Sequence, residues 1–284
     1  MSNPPNITIL GAGVIGLTTS LVLKHTYPSA NITIVAKHFP GDRSIEYTSP
    51  WAGANWSSMA HDNGPLEKYD EVTFKRFGQL IDGNQVFGCK AINKEEGNEL
   101  GLGRMGMRAF YDLSIEEAGV LSDGTSKIWY DELVGGLKHF CKEDLPEGAV
   151  FGLEFPSTFR INTQVYLSWY VYSSGYRMWQ MLTSNYRLQA QALAKNITLI
   201  RRHYPSITSL LSSLPSTDLL INCTGIGSLH LSDIKDTNLY PTRGQTLLVA
   251  EPKTPIQRMY EYERHYKYEK VLFCRSQTEM DETY

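Results

Sequence analysis

The sequence predicts an α/β protein with a partly parallel sheet, and three apolar segments carry that prediction. Residues 7–10 form a short apolar strand that runs into a glycine turn and a helix, and residues 31–36 form a β-branched strand after it. The two strands and the helix make a βαβ unit with an expected right-handed crossover. Residues 218–222 are almost continuously apolar, as expected for a parallel strand buried on both faces. We expect these three strands to be neighbours in one sheet.

The remaining elements follow from local patterns taken in chain order. The first helix is expected over residues 14–24, with Leu17 and Leu21 on its apolar side, and Pro28 lies in the segment that breaks it. The other expected elements are an exposed amphipathic helix at 66–79, a polar, glycine-rich loop at 93–106, a short helix at 129–140 and a strand at 197–200.

The turn after the first strand contains Gly11, Gly13 and Gly16 in the spacing G-x-G-x-x-G. In dinucleotide-binding folds the first glycine permits a sharp turn, the second lets a pyrophosphate approach the backbone, and the third lets the helix pack against its strand. The free N–H groups at the start of the helix then face the phosphate charge. Because a strand precedes the motif and a helix follows it, the turn predicts a Rossmann-like dinucleotide site.

The end of the second strand reads Ala36-Lys37-His38. Dinucleotide folds often carry Asp or Glu about 20 residues after the glycine turn, where the carboxylate binds the ribose hydroxyl. A lysine in this place suits a phosphate, so the segment taken alone supports an NADP-dependent protein as well as an FAD-dependent one. A solvated Lys37 without any ligand is the third interpretation.

Length and composition set the broad class. A chain of 284 residues suffices for one large domain or two ordinary ones. A net charge of −3 gives no indication of a nucleic-acid or membrane surface, and no apolar run approaches the roughly 18 residues of a membrane span. Residues 1–5 lack a basic region, so we expect no signal peptide. The four cysteines form no C-x-x-C pair and the histidines no H-x-x-x-H pair, so we expect a reduced, intracellular protein without a metal site.

Residues 48–56 read T-S-P-W-A-G-A-N-W and, together with the glycine turn, closely resemble the fungal D-amino-acid oxidases. Further matches to that family follow in the same order along the chain, at residues 40–42 (P-G-D), 145–148 (L-P-E-G), 222–227 (N-C-T-G-I-G) and 240–245 (Y-P-T-R-G-Q). The resemblance covers most of residues 6–258.

The resemblance implies a Rossmann-like FAD-binding domain interleaved with an α+β substrate domain. We expect the FAD-binding domain at 1–60 and 157–228, and the substrate domain at 61–156 and 229–284. The implied activity is that of an FAD-dependent oxidoreductase, a D-amino-acid oxidase of D-amino acid metabolism. The flavin takes a hydride from the α-carbon of a D-amino acid, and O₂ reoxidises it. The products are a 2-oxo acid, ammonia and hydrogen peroxide. No side-chain base is implied, so we assign no catalytic residue.

The resemblance also assigns cofactor and substrate residues. The pyrophosphate is expected on the glycine turn, at Gly11, Ala12, Gly13, Val14, Ile15 and Gly16. The adenosine ribose is expected near Ala36 and Lys37, and the adenine at the backbone of Tyr204. The ribityl chain and the isoalloxazine are expected against Thr48, Ser49, Gly53, Ala54, Asn55 and Trp56. Tyr284 is the candidate substrate residue, with a frayed chain end as the alternative.

Two places depart from the family pattern. Residues 168–187 are rich in Trp and Tyr but follow no period of 2 or 3.6, so we expect a dispensable insertion rather than an aromatic lid. The family's carboxylate-binding Arg and its C-terminal glycine-rich segment would both follow residue 284. Arg243 belongs to the P-x-R-G-Q motif and does not replace that Arg. We therefore expect the chain as written to oxidise D-amino acids poorly or not at all.

Three functions stay open at this point: an oxidase of D-amino acids or of D-aspartate, a non-catalytic flavin-binding remnant, and an NADP-dependent reductase. The stretch at residues 48–56 argues against the reductase. The partners implied are a small-molecule D-amino acid and O₂, with no nucleic acid and no membrane, and a homodimer is compatible with the resemblance. The family is commonly peroxisomal. Residues 281–284 are not an S-K-L address, so the cytoplasm is the alternative.

Overall fold

The computed structural model describes residues 3–90, 93–94, 97–98, 100–168, 195–242, 244–245, 256–263 and 270–273. Within these ranges the helices are α1 (Val14–Thr26), α2 (Pro65–Ile81), α3 (Thr163–Leu167) and α4 (Ile207–Ser213). Short 3-10 turns lie at Ser49–Trp51, Lys142–Asp144 and Gly225–Leu229. The strands are β1 (Asn6–Leu10), β2 (Asn31–Ala36), β3 (Gln85–Val86), β4 (Cys89–Lys90), β5 (Asn93–Lys94), β6 (Gly97–Asn98), β7 (Leu102–Tyr111), β8 (Lys138–His139), β9 (Phe151–Ile161), β10 (Thr198–Arg201), β11 (Leu219–Asn222), β12 (Arg258–Glu263) and β13 (Lys270–Phe273).

The chain divides into two compact units, each assembled from separate stretches of sequence. Unit 1 comprises Met1–Ala52, Gln85–Ile92 and Thr163–Leu248, and unit 2 comprises Gly53–Asn84, Asn93–Asn162 and Val249–Tyr284. Three sequence predictions concern residues that are not described: Tyr284, Arg243 and the aromatic segment after Ser168. None of the helices in the described part of the chain is long and apolar enough to cross a membrane.

Unit 1 contains a four-stranded parallel sheet in the order β10-β2-β1-β11. Ile9 of β1 stands opposite Ile34 on one side and Ile221 on the other. The β-branched and apolar composition of these strands suits a pleated surface covered by helices. The predicted neighbours β1, β2 and β11 are confirmed, and with them the α/β class.

Both faces of the unit 1 sheet carry buried side chains. α1 packs against β1 and β2, where Ile9, Leu17 and Ile34 are completely buried. Leu10 points to the opposite face from Ile9 because side chains alternate along a strand. It packs in a cluster with Leu210 of α4. Each such side chain stabilises the fold by roughly 1.5–3 kcal/mol relative to an exposed one.

The burial of β11 differs from the prediction. We expected residues 218–222 to be buried on both faces, and this is wrong, because Leu219 is 49% exposed and no residue of β11 is fully buried. The strand pairs with β1 on one side, at an edge of the described sheet. Its apolar run therefore reflects partial burial rather than a central position.

Unit 2 is built on a five-stranded mixed sheet in the order β13-β12-β7-β9-β8. β7 pairs antiparallel with β9 along its whole length and parallel with β12. One face carries the core, in which Met107, Leu153 and Phe155 are at most 1% exposed. α2, predicted as an exposed amphipathic helix, adds Phe74 to this core, and the Phe74 ring lies 4.6 Å from that of Phe159.

Two predicted elements of unit 2 are wrong. Residues 93–106, predicted as a loop, contain the short hairpin of β5 with β6 and the start of β7. The glycines there did not exclude a strand, because β7 is held by partners on both sides. Residues 129–140, predicted as a helix, form turns that lead into β8, and Gly135 and Gly136 have φ values of +90° and +86°. Positive φ at two successive residues is incompatible with a right-handed helix.

Candidate nucleotide-binding site

The glycine turn of unit 1 is crowded from behind by backbone. Gly11 has φ +114°, and a Cβ there would collide with the carbonyl of Cys223 at the end of β11. A Cβ at Gly16 would collide with the carbonyl oxygen of Gly11. Gly11 therefore permits the strand to turn beside its neighbour, and Gly16 permits α1 to approach the turn. These are the roles expected of the first and third glycines.

The front of the same turn is open to solvent and offers N–H groups. Gly13 is the N-cap residue of α1 and supplies no side-chain cap, and the first turn of the helix contains no acidic residue. The backbone N–H of Val14 donates to Ser49 Oγ at 3.1 Å, and a Cβ on Gly13 would lie 2.9 Å from that oxygen. Val14 and Ile15 are 40% and 67% exposed. Among the residues that the structure describes, the positive end of the helix dipole thus meets a single neutral hydroxyl, an arrangement that suits an anionic group.

Tyr47 holds the following loop against this turn, a role that sequence analysis missed. Its hydroxyl donates to the carbonyl oxygen of Ala12 at 2.6 Å, and its side chain is buried. Burial raises the pKa of Tyr47 far above its usual range, so the phenol remains a neutral donor. Nothing in the local sequence signals this bond, because the two residues are 35 positions apart.

The end of β2 carries a cluster of charged side chains. Lys37 Nζ donates to Glu46 Oε2, and His38 Nε2 lies 3.1 Å from the same oxygen. The hydrogen bonds from Lys37 and then His38 lower the pKa of Glu46 to about 2, so it is ionised at neutral pH. Beside it, Arg201 Nη1 donates to Asp42 Oδ2 at 2.5 Å. Burial acts to raise the pKa of Asp42, but the bond from Arg201 and the Phe39 N–H outweigh burial and lower it.

Tyr204 lies close in sequence to the end of β10, and its side chain belongs to the unit 1 core. It is 8% exposed and packs with Leu10, Val35 and Leu210, while the guanidinium of Arg202 lies 5.1 Å from its ring centre. The predicted adenine contact is a backbone contact, and it stays a prediction.

The predicted ring-binding residues after Ala52 belong to unit 2. Ala54 and Ile161 exchange two backbone hydrogen bonds of 2.9 and 2.8 Å, and Asn55 Nδ2 lies 3.1 Å from Met107 Sδ. Trp56 is 5% exposed, and its ring packs edge-to-face on Phe74 at 4.8 Å. The side chains of Asn55 and Trp56 are thus engaged by the unit 2 core, and their contacts with a ligand stay predictions.

The structure therefore brings one part of the predicted site together within unit 1. The residues concerned are Gly11, Ala12, Gly13, Val14, Ile15, Gly16, Ala36, Lys37, Thr48, Ser49 and Tyr204. Gly53, Ala54, Asn55 and Trp56 lie in unit 2, and Tyr284 is not described. Among the described residues no group of three or more His, Cys, Asp or Glu side chains could hold a metal ion.

Three curated relatives of this chain are named as oxidases of D-amino acids or of D-aspartate. D-amino-acid oxidase of Fusarium vanettenii is 30% identical over 261 residues, which cover 90% of this chain and 63% of the relative. D-amino-acid oxidase of Schizosaccharomyces pombe is 28% identical over 251 residues, covering 88% and 61%. D-aspartate oxidase of Cryptococcus neoformans var. grubii is 27% identical over 256 residues, covering 87% and 56%.

The chain thus spans about three fifths of the length of these curated relatives. No protein-family model matches it. Among solved structures, glycine oxidase from Bacillus cereus ATCC 14579 aligns with a TM-score of 0.38 and 12% identity, covering 69% of this chain and 46% of the other, a likeness too distant to bear on function. The three sequence relatives confirm the predicted resemblance: over most of its length the chain is similar to two fungal D-amino-acid oxidases and a fungal D-aspartate oxidase.

Proposed function

We propose that this chain binds FAD at the start of α1 and is an FAD-dependent D-amino-acid oxidase. The cofactor part rests on the open N-terminus of α1 at Gly13, where Ser49 Oγ is the one acceptor for the Val14 N–H within the described residues. The proposed reaction rests on the named relatives, which are two D-amino-acid oxidases and a D-aspartate oxidase. The products proposed are a 2-oxo acid, ammonia and hydrogen peroxide.

The residues of the turn fit a pyrophosphate on physical grounds. The helix dipole places about half a positive charge at the N-terminus of α1, and no carboxylate of the first turn neutralises it. Gly13 leaves the approach free, and Ser49 can donate its hydroxyl hydrogen to a phosphate oxygen. In this proposal Gly11–Ile15 and Ser49 hold the pyrophosphate, and Ala36 and Lys37 border the ribose.

Bound FAD supplies the hydride acceptor and the reaction with O₂. The chain itself has to hold the substrate in a dry pocket with its α-carbon aligned, and such positioning accounts for much of an enzyme's rate. We propose the FAD-binding domain at 1–60 and 157–228 and the substrate domain at 61–156 and 229–284. We further propose that Thr48, Gly53, Ala54, Asn55 and Trp56 border the flavin and that Tyr284 contacts the substrate.

The substrate is proposed as a class, a D-amino acid with either a neutral or an acidic side chain, because the relatives include both kinds of oxidase. The observed ion pair between Lys37 and Glu46 disfavours the NADP-dependent alternative, since it engages the lysine expected to meet a phosphate. Peroxisomal localisation and a homodimeric assembly are further parts of the proposal, both by analogy with the family.

The test combines cofactor uptake with turnover. The purified chain is dialysed against FAD, freed of unbound flavin, and its flavin absorbance is measured. It is then assayed for peroxide with D-alanine and D-aspartate, with L-alanine as the control. We expect bound flavin and a low but measurable rate of peroxide formation with a D-amino acid, and none with L-alanine. Bound flavin without peroxide would refute the oxidase and leave a flavin-binding protein, and the absence of bound flavin would refute the proposal as a whole.

A further inference from the structure

The carboxylate missing from the end of β2 in the sequence is supplied by a residue of the following loop. β2 ends in Ala36, and the next residues are Lys37 and His38, so no acidic side chain stands there. Glu46 returns to this point, and its Oε2 accepts from Lys37 Nζ and lies 3.1 Å from His38 Nε2. The structure thus restores a negative charge at the strand end where dinucleotide folds place their ribose-binding acid.

Glu46 is tied to the glycine turn as well as to β2. The next residue, Tyr47, donates from its hydroxyl to the carbonyl oxygen of Ala12, inside the proposed pyrophosphate site. The N–H of Glu46 donates to Ser44 Oγ at 3.2 Å, which adds a further constraint on the loop. The carboxylate is therefore anchored between the phosphate end of the site and the end of β2, the two points that the ribose of an adenine dinucleotide has to join.

The unused hydrogen-bond acceptor positions of the Glu46 carboxylate suit a diol. A carboxylate accepts hydrogen bonds and donates none, and in the described part of the chain Oε1 has no partner. The side chain is 58% exposed, so a ligand can reach it. Two adjacent ribose hydroxyls can donate hydrogen bonds to such an oxygen. Hydrogen bonds to an ionised acceptor are stronger than those between neutral groups.

The same charges disfavour a 2′-phosphate. Lys37 is paired with Glu46, and the guanidinium of Arg201 with Asp42, so both cations already have carboxylate partners. A phosphate placed beside Glu46 would meet a like charge. The Lys37–Glu46 ion pair therefore favours a ribose with free 2′ and 3′ hydroxyls over a ribose with a 2′-phosphate.

We propose that Glu46 is the ribose-binding carboxylate of this chain and that its pairing with Lys37 selects an adenosine 2′,3′-diol over a 2′-phosphate. The inference rests on the proposed function in one respect, that an adenine dinucleotide occupies unit 1. It assigns to a loop residue a role that the sequence pattern reserves for the end of β2.

The test pairs a change in the protein with a change in the ligand. ADP and 2′,3′-dideoxy-ADP are titrated by calorimetry into the chain and into Glu46→Gln. We expect the chain to prefer ADP by about tenfold, as for charge-assisted bonds at a solvent-exposed site, and Glu46→Gln to bind the two nucleotides equally. FMN, which lacks the adenosine, should bind both proteins alike.

Two further variants serve as controls. Glu71→Gln removes a carboxylate that likewise accepts from two lysines, Lys68 and Lys75, but lies in unit 2, so its preference for ADP should be unchanged. Lys37→Met retains the carboxylate and should keep the preference for ADP over dideoxy-ADP. Its binding of adenosine 2′,5′-bisphosphate should be weaker than that of Glu46→Gln, in which Lys37 is released.

The outcomes separate this inference from the proposed function. An undiminished preference for ADP in Glu46→Gln, with FAD still bound by the unaltered chain, would overturn the role of Glu46 alone. If the unaltered chain binds neither ADP nor FAD, the proposed function fails and the inference fails with it. Thermal melting of each variant shows whether a loss of binding reflects a loss of fold.

Discussion

Two helices of unit 1 begin in opposite ways. At α4, the hydroxyl of Ser206 accepts from the Ser209 N–H, and the carboxylate of Asp233 accepts from the N–H groups of Ile207 and Thr208 at 3.0 and 2.8 Å. At α1, Gly13 offers no side chain, and the Val14 N–H meets one neutral hydroxyl from Ser49. The start of α4 is therefore neutralised by a carboxylate of the protein, and the start of α1 is not.

The difference separates a structural helix start from one built for a ligand. An unneutralised helix N-terminus retains its attraction for anions, whereas a carboxylate already in place removes it. The crowding behind α1 points the same way, because a Cβ on Gly11 or Gly16 would collide with backbone, whereas a Cβ on Gly13 would meet the Ser49 side chain, with Oγ at 2.9 Å. The G-x-G-x-x-G spacing therefore places its first and third glycines against backbone and its second glycine at the solvent-exposed side of the turn.

The largest expected effect is on the packing behind α1. Gly16→Ala places a methyl group against the carbonyl of Gly11, backbone that cannot swing aside. Overpacking costs about 3 kcal/mol at its usual upper end, against about 1 kcal/mol gained from alanine's helix propensity. We expect unfolding by denaturant to show a net loss of about 2 kcal/mol.

Gly78→Ala in α2 is the matched control. It is the same substitution inside a helix, but the new methyl group would meet the end of the flexible Arg104 side chain at 3.2 Å. We expect unchanged or slightly increased stability, by up to about 1 kcal/mol. Equal losses in the two variants would show that glycine is generally required in these helices and that the approach of α1 to its turn is not special.

The capped helix gives the next effect, and it depends on pH. Asp233→Asn removes the charge at the start of α4, and we expect a fall of about 2–4 °C in the thermal midpoint at pH 7. Hydrogen bonds from the Thr208 N–H and then the Ile207 N–H lower the pKa of Asp233 in the folded state. A lowered folded pKa means that the stabilisation is present above the unfolded value of 3.8 and is lost as the pH falls through the folded value.

The measurement is the midpoint of both proteins between pH 7 and pH 3. The two curves should draw closer as the pH falls below 3.8, because protonation of Asp233 in the unaltered chain then begins to remove its charge. A difference that stays constant over this range would contradict a charge-based cap.

The smallest expected effect is at the open helix. Ser49→Ala removes the acceptor for the Val14 N–H, a loss of about 0.5–1 kcal/mol by analogy with cap deletions. Inorganic pyrophosphate should restore most of the lost thermal midpoint by taking the place of the hydroxyl, and it should restore nothing in Asp233→Asn. If sodium chloride of the same ionic strength restored the thermal midpoint of Ser49→Ala equally well, the recovery would reflect charge screening and would contradict pyrophosphate binding at the start of α1.

The local elements of unit 1 were predictable because their signals are local. β-branched runs mark β1 and β2, and the glycine spacing marks the turn. The partners that complete the site are distant in sequence: Ser49 and Tyr47 act on the turn from 35 positions away. No periodicity encodes such pairs, so Tyr47 was missed altogether, and Lys37 was left open between phosphate and solvent although its partner is Glu46.

Unit 2 was predicted less well for a related reason. The start of β7 is glycine-rich, yet it is a strand because β9 and β12 flank it. Trp56 was assigned to a ligand wall from its motif, and that contact stays a prediction, while its packing against Phe74 of α2 was not foreseen. The motif alone does not tell which residues of a segment face the core.

FAD titration of Gly13→Asp tests most directly whether the start of α1 is a pyrophosphate site. The new Cβ would lie 2.9 Å from Ser49 Oγ, a side-chain atom that can rotate away. The new carboxylate should then stabilise the helix N-terminus in place of that hydroxyl while repelling the phosphates, so folding and binding separate. Asn196→Asp, an isosteric substitution at an exposed position of unit 1, adds the same charge elsewhere. A pyrophosphate site at the start of α1 predicts that Gly13→Asp weakens FAD binding by about 100-fold or more at an unchanged or higher thermal midpoint, and that Asn196→Asp binds FAD as the unaltered chain does. Equal FAD affinity in all three proteins would contradict it.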